Sequence, residues 1–362
     1  MFYYFFYSLH KIHTVFQVFR YITFRTALAT VTGLLICLIL GPWLTKKLAS
    51  FQIQEKIRDD GPAGHKTKAG TPTMGGILII IGTVIPTLLW ADIGQRYIVI
   101  TILAMVSFGV LGFVDDYLKI QWQGAGKKGM SGRSKLFWQG LIALCIGITL
   151  YTWDPDPAVS HLSFPFFKNF YPDLEWFYLG IIFLVIVGAS NAVNLTDGLD
   201  GLAIGNIVIV FVSFMILSYL SGNIRLSEYL LIPYIRGAGE LSVFCGALIG
   251  SGLGFLWFNC YPAQVFLGDV GALSLGGVLG TIALITKQEL LLILIGGIFV
   301  AEAVSVIIQV GSFQLTGQRV FRMTPLHHHF ELLGWHEVKI TVRFMIIALI
   351  LNLLGLATLK IR

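Results

Sequence analysis

Long apolar segments alternate with shorter polar segments from residue 22 to the end of the chain. Each apolar segment is long enough to cross the hydrocarbon core of a bilayer, about 30 Å thick, as an α-helix. The pattern therefore predicts an all-α integral membrane protein with about ten transmembrane helices. The predicted helices lie at residues 22–46, 74–92, 96–117, 135–152, 174–191, 201–220, 239–258, 263–286, 289–312 and 340–360.

Two units follow from this pattern. Residues 22–362 are predicted to form a single polytopic transmembrane domain. Residues 1–21 begin with the aromatic run from Met1 to Tyr7 and contain no cleavage site typical of a signal peptide. We therefore expect them to form an N-terminal segment that lies at the membrane interface.

Basic residues are concentrated in the polar segments on one side of the predicted bundle. Fifteen of the 25 Lys and Arg lie between helices one and two, between helices three and four, and in or beside the segment before the last helix. The positive-inside rule makes these segments cytoplasmic, and an even number of helices then places both termini in the periplasm. Lys11, Arg20 and Arg25, at or before the start of the first helix, oppose this orientation.

The composition agrees with a membrane protein and excludes other classes. With 56% hydrophobic residues, 12% charged residues and a mean hydropathy of +0.80, the chain is too apolar for a soluble globular protein of 362 residues. The net charge of +6 comes largely from loops that set topology, so we expect no nucleic-acid partner. The four cysteines are scattered and form neither a metal motif nor a disulfide framework.

The first of five polar segments with candidate chemistry, residues 65–76, is rich in Lys, Thr and Gly. Lys68 and its neighbouring lysine supply positive charge, Thr73 and two other threonines supply hydroxyls, and the glycines allow close approach of the backbone. These properties suit a diphosphate, although the register of a Walker A loop is broken. A basic loop with a Pro/Gly turn is the alternative.

The second segment places Asp115 and Asp116 at the end of the third predicted helix. A carboxylate within the hydrocarbon core costs about 2.5–3.5 kcal/mol on insertion scales, so such a pair marks the interface or a water-filled cavity. Adjacent helical residues point about 100° apart, and the two carboxylates need not act as one ligand set. We expect one to take a proton or contact an acceptor while the other holds the helix or supports a metal. Two solvated boundary acids are the alternative.

The third segment, residues 191–201, contains acids and amides but no Lys or Arg. Its polar residues recur at every third position, so in a tight helical turn they would share one edge. They are candidates for binding ribose, base or metal-bound water, and turn chemistry is the alternative. The four residues are Asn191, Asn194, Asp197 and Asp200.

The fourth segment contains a lone acid, Asp269, between glycines that admit a bulky ligand, among them Gly268. Mg²⁺ often takes one or two carboxylates together with phosphate oxygens of the substrate, which fits a single acid here. A carboxylate that stabilises the first turn of a helix is the alternative.

The fifth segment, residues 323–335, has Thr324 as a predicted N-cap, Pro325 at the first helical position and Gly334 as a terminator. The spacing of its apolar residues predicts a short amphipathic helix, with histidines spread over the polar side. His327, His328 and His329 suit phosphate or sugar contacts, because their spacing is not that of a zinc site. Glu302, inside the ninth predicted helix, is a further intramembrane acid, and a hydrogen-bonded structural role is the alternative.

Together these five segments resemble the polyprenyl-phosphate N-acetylhexosamine-1-phosphate transferase superfamily. The resemblance runs from about Lys46 to the C-terminus, and five motifs in the family's order are far more specific than any single one. The histidine triplet favours the muramoyl-pentapeptide branch over the GlcNAc-phosphate branch. The matching motifs are residues 68–76, 115–116, 191–201, 266–269 and 325–331.

The resemblance implies a reaction at the bacterial cytoplasmic (inner) membrane. Undecaprenyl phosphate accepts phospho-N-acetylmuramoyl-pentapeptide from UDP-N-acetylmuramoyl-pentapeptide, giving lipid I and UMP in the first membrane step of peptidoglycan synthesis, with Mg²⁺ as cofactor. A homodimer is compatible with the resemblance. The catalytic residues that it implies are Asp115, Asp116, Asp269 and Lys68, and the substrate-binding residues are Thr73, Asn191, Asn194, Asp197, Asp200, Gly268, His327, His328 and His329.

We hypothesise how the roles divide among these residues. Asp269 would bind the metal, with Asp115 and Asp197 as further candidate ligands, and Lys68 would neutralise the diphosphate. Asp115 would take a proton or contact the acceptor phosphate, supported by Asp116. Phosphoryl transfer needs mainly such positioning and charge neutralisation.

Two rival functions remain at this point. A sister enzyme would transfer GlcNAc-1-phosphate to the same kind of carrier. A secondary transporter would explain Glu302 and the many helices, but it would place polar residues near the bilayer midplane in broken helices rather than at one surface.

Overall fold

The computed structural model describes residues 2–50, 70–121, 129–153, 160–165 and 171–360. Within these ranges the chain is mainly helical, and an isolated β-bridge pairs His161 with Asp173. The α-helices are α1 Phe2–Ser8, α2 Ile22–Ser50, α3 Gly76–Trp90, α4 Arg96–Gln121, α5 Gly132–Trp153, α6 Tyr178–Thr196, α7 Leu202–Ser221, α8 Ile224–Leu230, α9 Leu241–Asn259, α10 Gly268–Ile285, α11 Glu289–Ile295, α12 Gly297–Thr316, α13 Leu326–Leu332 and α14 Glu337–Ala357.

The helices confirm the predicted all-α membrane class, with two differences in length. In the described ranges, nine helical segments are long and apolar enough to cross a membrane, whereas α3 has 15 residues and spans only about 22 Å at 1.5 Å per residue. The predicted helix at 289–312 is divided at Gly296 into α11 and α12. Two consecutive glycines, Gly296 and Gly297, weaken the helix there because glycine is costly in a helix interior.

The most enclosed helix, α10, lies between α4, α6 and α3 and is buried along nearly its whole length. Its only charged residue is Asp269 in the first turn, and the rest is mainly apolar on every side, as expected for a helix surrounded by protein. Gly112 of α4 packs directly on the backbone of Asp269, where a Cβ atom would overlap the Asp269 carbonyl oxygen. This close approach brings the polar end of α4 against the polar start of α10.

Both described ends of the chain lie at the opposite end of the bundle from Asp115. Near the N-terminus, the Tyr4 hydroxyl hydrogen-bonds to Asp92, which precedes α4, whereas Asp115 lies near the other end of that helix. At the C-terminus, the Lys360 ammonium lies 3.7 Å from the ring centre of Tyr229 in α8, which follows the far end of α7. The compartment that this end of the bundle faces stays a prediction, as does the domain boundary at residue 22.

Arg25 was counted as a positive charge beside the first helix that opposes the predicted orientation. The structure places it inside a helix instead. It lies inside α2 and is 2% exposed. Its guanidinium donates two hydrogen bonds of 2.6 Å to the carboxylate of Glu240 and a third, of 3.2 Å, to the Trp90 carbonyl oxygen. Arg25 therefore joins α2 to the start of α9 as half of a buried ion pair.

Candidate active site

The polar ends of several helices meet at one end of the bundle. Asp115 and Asp116 lie near the end of α4, Asn194 near the end of α6, Asp269 in the first turn of α10 and Lys135 in the first turn of α5. Since a carboxylate is costly in hydrocarbon, these residues belong at the membrane boundary, and helix packing gathers them at one place on it.

Asp115 and Asp269 face the same two ammonium groups. The Nζ of Lys135 lies 3.1 Å from Asp115 Oδ2 and 2.6 Å from Asp269 Oδ2. The Nζ of Lys119 lies 3.5 Å and 2.9 Å from the same two oxygens. The backbone N–H of Met130 donates to the other Asp115 oxygen at 2.7 Å. The two carboxylates are therefore buried but compensated by charge and hydrogen bonds.

Asp116 contacts Lys119 and the backbone at the start of α10. Its Oδ1 accepts a hydrogen bond of 3.1 Å from Lys119, and its Oδ2 accepts one of 3.3 Å from the Val270 N–H. Gly268, with φ of +72°, has no room for a side chain, because a Cβ atom there would lie 2.7 Å from Asp116 Oδ2 and 2.8 Å from the Thr73 hydroxyl. Asp116 therefore fixes the first turn of α10, which carries Asp269.

Thr73 lies buried beside Gly268, whereas Lys68 lies outside the described residues. Three backbone hydrogen bonds hold the described part of this segment against the residues before α10, one of them from the Gly76 N–H to the Leu267 carbonyl at 2.9 Å. The Phe266 N–H donates to the Pro72 carbonyl at 2.8 Å, and the Gly75 N–H donates to the Phe266 carbonyl at 2.9 Å.

The end of α6 contributes two amide side chains in different environments. Asn194 Nδ2 donates to Asp269 Oδ1 at 2.7 Å and so belongs to the cluster. Asn191 Nδ2, one turn earlier, donates to Gln139 Oε1 at 2.8 Å. Gln139 lies one turn after Lys135 on α5, so this amide pair fixes Lys135 and Asn194 relative to each other.

The expectation that four polar residues share one edge of a turn is wrong at Asp200. Helix α6 ends at Thr196, with Asp197 half-buried at its C-cap, and the chain then turns away. The Asp200 carboxylate accepts a hydrogen bond of 2.9 Å from the Ala263 N–H. It therefore holds the segment before α10.

The predicted short helix forms as α13, one position later than expected, with Pro325 at the N-cap. Its histidines do not spread over a polar side. His327 is 0% exposed and faces Glu302. His328 Nδ1 lies 2.7 Å from Glu331, and His329 Nδ1 accepts a hydrogen bond of 3.2 Å from the Arg322 N–H. The three residues therefore have three different environments.

Sequence reasoning missed Lys119 and Lys135 as site residues because it assigned both to membrane topology. A signal for Lys119 was present: it follows Asp116 by three residues and Asp115 by four, a spacing that puts oppositely charged side chains together on a helix. Lys135 had no comparable local signal, since it reaches the cluster only through the packing of α5.

The donor chemistry of the cluster fits Mg²⁺. Among the residues that the structure describes, no group of three or more His, Cys, Asp or Glu is arranged to hold a metal ion. Asp115 and Asp269, however, already direct one oxygen each at the same ammonium, which shows that a single cation can contact both. Carboxylate oxygens are the ligands that Mg²⁺ prefers.

A bundle of membrane helices with a buried polar cluster at one end agrees with the family to which the sequence is similar. The sequence model of glycosyl transferase family 4 matches residues 98–287 and places the chain among the transferases of that family. Signature 1 of phospho-N-acetylmuramoyl-pentapeptide-transferase matches residues 68–80. The chain belongs to the phospho-N-acetylmuramoyl-pentapeptide-transferase family.

Several relatives bearing that name cover nearly the whole chain. The identity is 56% over 344 residues with the protein of Geobacter sp. (strain M21), and 55% over 344 residues with that of Pelobacter propionicus. It is 52% over 345 residues with that of Syntrophus aciditrophicus. In each case the alignment covers 95% of both chains. The resemblance inferred from the five motifs is thereby confirmed.

Proposed function

We propose that this protein transfers phospho-N-acetylmuramoyl-pentapeptide from its UDP conjugate to undecaprenyl phosphate, giving lipid I and UMP. The main structural support is the meeting of Asp115 and Asp269 at shared ammonium groups, at the ends of membrane helices. A site at that position can receive a water-soluble nucleotide from one side and a lipid phosphate from the other. The relatives supply the particular substrate, through their names.

In the direct route of this reaction, an oxygen of the lipid phosphate attacks the phosphorus that carries the sugar. The new P–O bond forms as the bond from that phosphorus to UMP breaks, and UMP leaves with the electron pair. Asp115 takes the proton of the acceptor phosphate when that phosphate is protonated, and Asp116 supports it by holding the start of α10. Lys119 and Lys135 neutralise negative charge beside the reacting phosphates.

Mg²⁺ would be held by Asp269, with Asp115 and Asp197 as further candidate ligands. When bound, it would neutralise the charge that develops on the diphosphate. Asn194 orients Asp269 through its 2.7 Å hydrogen bond, and Lys68 would add charge at the diphosphate.

The remaining predicted contacts divide by environment. Thr73 and Gly268 would lie at the diphosphate, whereas His328 and His329 would meet phosphate or sugar. Asn191 and Asp200 would shape the site indirectly, since Asn191 Nδ2 donates to Gln139 and Asp200 Oδ2 accepts from the Ala263 N–H. The proposed location is the bacterial cytoplasmic membrane, with the site at the cytoplasmic face.

The decisive experiment is mass analysis of the lipid product made by the purified protein from defined UDP-sugars and undecaprenyl phosphate. We expect the muramoyl-pentapeptide donor to give lipid I and UDP-GlcNAc to give no product. A lipid-linked GlcNAc phosphate as the main product would support the sister activity instead. Flux of substrate across sealed vesicles without any lipid product would support a transporter.

A second experiment separates direct attack from a phospho-aspartyl intermediate. Release of labelled UMP is measured without lipid acceptor, in the wild type and in Asp115→Asn. Stoichiometric UMP release by the wild type alone indicates the covalent route through Asp115, and its absence in both indicates direct attack.

A further inference from the structure

The buried face of α5 carries a single polar side chain, that of Gln139. Gln139 is 0% exposed and lies four residues after Lys135, at the end of this face nearest the cluster. A buried amide needs a hydrogen-bond partner, because an unpaired polar group away from water is costly. The buried residues of α5, which recur at helical spacing, are Gln139, Ala143, Ile146, Gly147 and Leu150.

The partner of Gln139 is Asn191 on α6. Asn191 Nδ2 donates to Gln139 Oε1 at 2.8 Å, and Gln139 Nε2 lies 3.5 Å from Asn191 Oδ1. Asn191 Nδ2 also donates to the Val187 carbonyl one turn earlier, so α6 itself fixes the direction of the Asn191 amide. The amide pair therefore ties one point on α5 to one point on α6.

This contact depends on the register of the two helices. The other buried residues of α5 are apolar, and apolar contacts are non-directional. A hydrogen bond depends on both distance and direction, so the amide pair specifies the axial position of α5 more closely than they do. Such interhelical hydrogen bonds contribute only modestly to the stability of membrane proteins. We therefore expect the pair to matter more for position than for folding.

The register of α5 decides where Lys135 lies. Lys135 Nζ is 2.6 Å from Asp269 Oδ2 and 3.1 Å from Asp115 Oδ2. A slide of α5 by one residue moves the Lys135 Cα atom by about 1.5 Å, which breaks contacts of this length unless the side chain rearranges. The side chain has little room to rearrange, because it is only 15% exposed.

We infer that Gln139 is a positioning residue for the transfer reaction: its contact with Asn191 sets the register of α5 on α6 and so holds the Lys135 ammonium where it contacts Asp115 and Asp269 together. Gln139 does not touch the substrate. The inference rests on the proposed function. Small displacements of a charged group beside reacting phosphates are costly to the rate, since such catalysis relies on preorganised charge.

The test compares Gln139→Met with Thr149→Val in the purified full-length protein. Methionine keeps the length of glutamine without its amide. Thr149 lies on the same helix, but its hydroxyl donates only to the Cys145 carbonyl of that helix. Three quantities are measured: kcat/KM from UMP release with varied UDP-sugar, the unfolding midpoint, and the rates at which N-hydroxysuccinimidyl acetate acetylates Lys135 and Lys47. Mass analysis of peptides reports acetylation at each lysine.

We expect Gln139→Met to lower kcat/KM by about ten-fold or more and to unfold near the wild-type midpoint. Acetylation should become faster at Lys135 but not at Lys47, which lies on α2 away from α5. Thr149→Val should match the wild type in all three measurements. Because Gln139 acts through Lys135, adding Gln139→Met to Lys135→Met should leave kcat/KM within about two-fold of Lys135→Met alone.

A second comparison applies if Gln139→Met fails to fold. Gln139→Asn shortens one side of the pair by a methylene group, and the double variant Gln139→Asn/Asn191→Gln restores the combined length. The double variant should recover most of the kcat/KM that Gln139→Asn loses, together with the slow acetylation of Lys135.

Normal kcat/KM in a folded Gln139→Met overturns the inference, and so does reduced activity with unchanged acetylation of Lys135. A further loss of the same size in the Lys135→Met background shows that Gln139 acts by another route. Faster acetylation of both lysines with a lowered midpoint assigns a structural role. A wild-type protein that forms no lipid-linked product contradicts the proposed function instead, so the two failures are distinguishable.

Discussion

Asn194 and Asp269 are joined by a hydrogen bond of 2.7 Å between the end of α6 and the first turn of α10. The amide N–H₂ donates to Oδ1, while both lysines contact Oδ2. Each oxygen of Asp269 therefore has a separate partner, and the carboxylate is held in one orientation. Removing any of these partners should affect the reaction more than the fold.

The Asn194→Ala variant tests that orientation. A hydrogen bond to a charged group contributes about 1.5–3 kcal/mol, so its loss should lower kcat/KM by roughly 10- to 100-fold. The measurement is UMP release at saturating acceptor. Asn206→Ala is the control, because Asn206 is fully buried but donates only to the Leu202 carbonyl in α7. Equal activities in the two variants would contradict the assignment.

Replacing Lys135 by Met keeps the aliphatic stem and removes the charge shared by Asp115 and Asp269. We expect activity to fall by about a hundred-fold or more, because preorganised charge beside the reacting group is lost. Lys47→Met is the control, since Lys47 is a basic residue at the end of α2 that stacks on Trp43. Activity within two-fold of the wild type in Lys135→Met would remove this lysine from the site.

The Asp269→Asn variant removes the proposed metal ligand with little change in volume. Activity should be lost at both limiting and saturating Mg²⁺, with the unfolding midpoint retained, and chelation should abolish turnover of the wild type. Asp173→Asn, at the bridge with His161, should behave as the wild type. Near-normal turnover of Asp269→Asn at limiting Mg²⁺ is incompatible with the metal assignment.

A methyl group at Gly112 should separate α4 from α10, because it would overlap the Asp269 carbonyl oxygen. We expect a loss of about 1–3 kcal/mol in stability together with reduced activity, despite the better helix propensity of alanine. Gly311→Ala in α12 is the matched control, since a Cβ atom there meets no atom within 4 Å. The thermal midpoint in detergent is the measurement, and unchanged midpoints for both variants would disprove the close packing.

The ion pair of Arg25 and Glu240 should matter for stability but not for chemistry. Glu240→Ala leaves a buried guanidinium without its carboxylate, and breaking a buried pair in this way costs about 3–5 kcal/mol. The unfolding midpoint should fall while turnover per folded molecule stays near that of the wild type. The double variant Arg25→Met/Glu240→Met should recover part of the lost stability. A single variant with a normal midpoint would show that the pair contributes nothing.

Much of the fold is predictable because every helix that crosses a bilayer needs about 20 predominantly apolar residues. Ten apolar segments correspond to helices in the structure, and their ends fall near the predicted residues. The sequence pattern failed at Gly296, where two glycines divide a segment that hydropathy alone treats as continuous. It also misassigned Arg25, because a charge in a buried ion pair and a charge in a loop look alike until the distant partner is known.

The acidic residues of the site were predictable because carboxylates are rare and costly in apolar surroundings, so Asp115, Asp116 and Asp269 stand out in the sequence. Lys119 and Lys135 were not, since lysine at a membrane boundary has an ordinary explanation in topology. The roles of Asp200 and His327 depend on where the chain turns after α6 and α12. Such tertiary contacts leave no periodic signal.

The enclosure of α10 has a consequence for how the reaction proceeds. A helix surrounded by other helices can shift only if several of its neighbours separate, so any movement of the helix that carries Asp269 would disrupt its packing on α4 and α6. The lipid phosphate and the nucleotide must therefore diffuse to a stationary carboxylate. We expect any conformational change during turnover to occur in the loops and in the more exposed helices around α10.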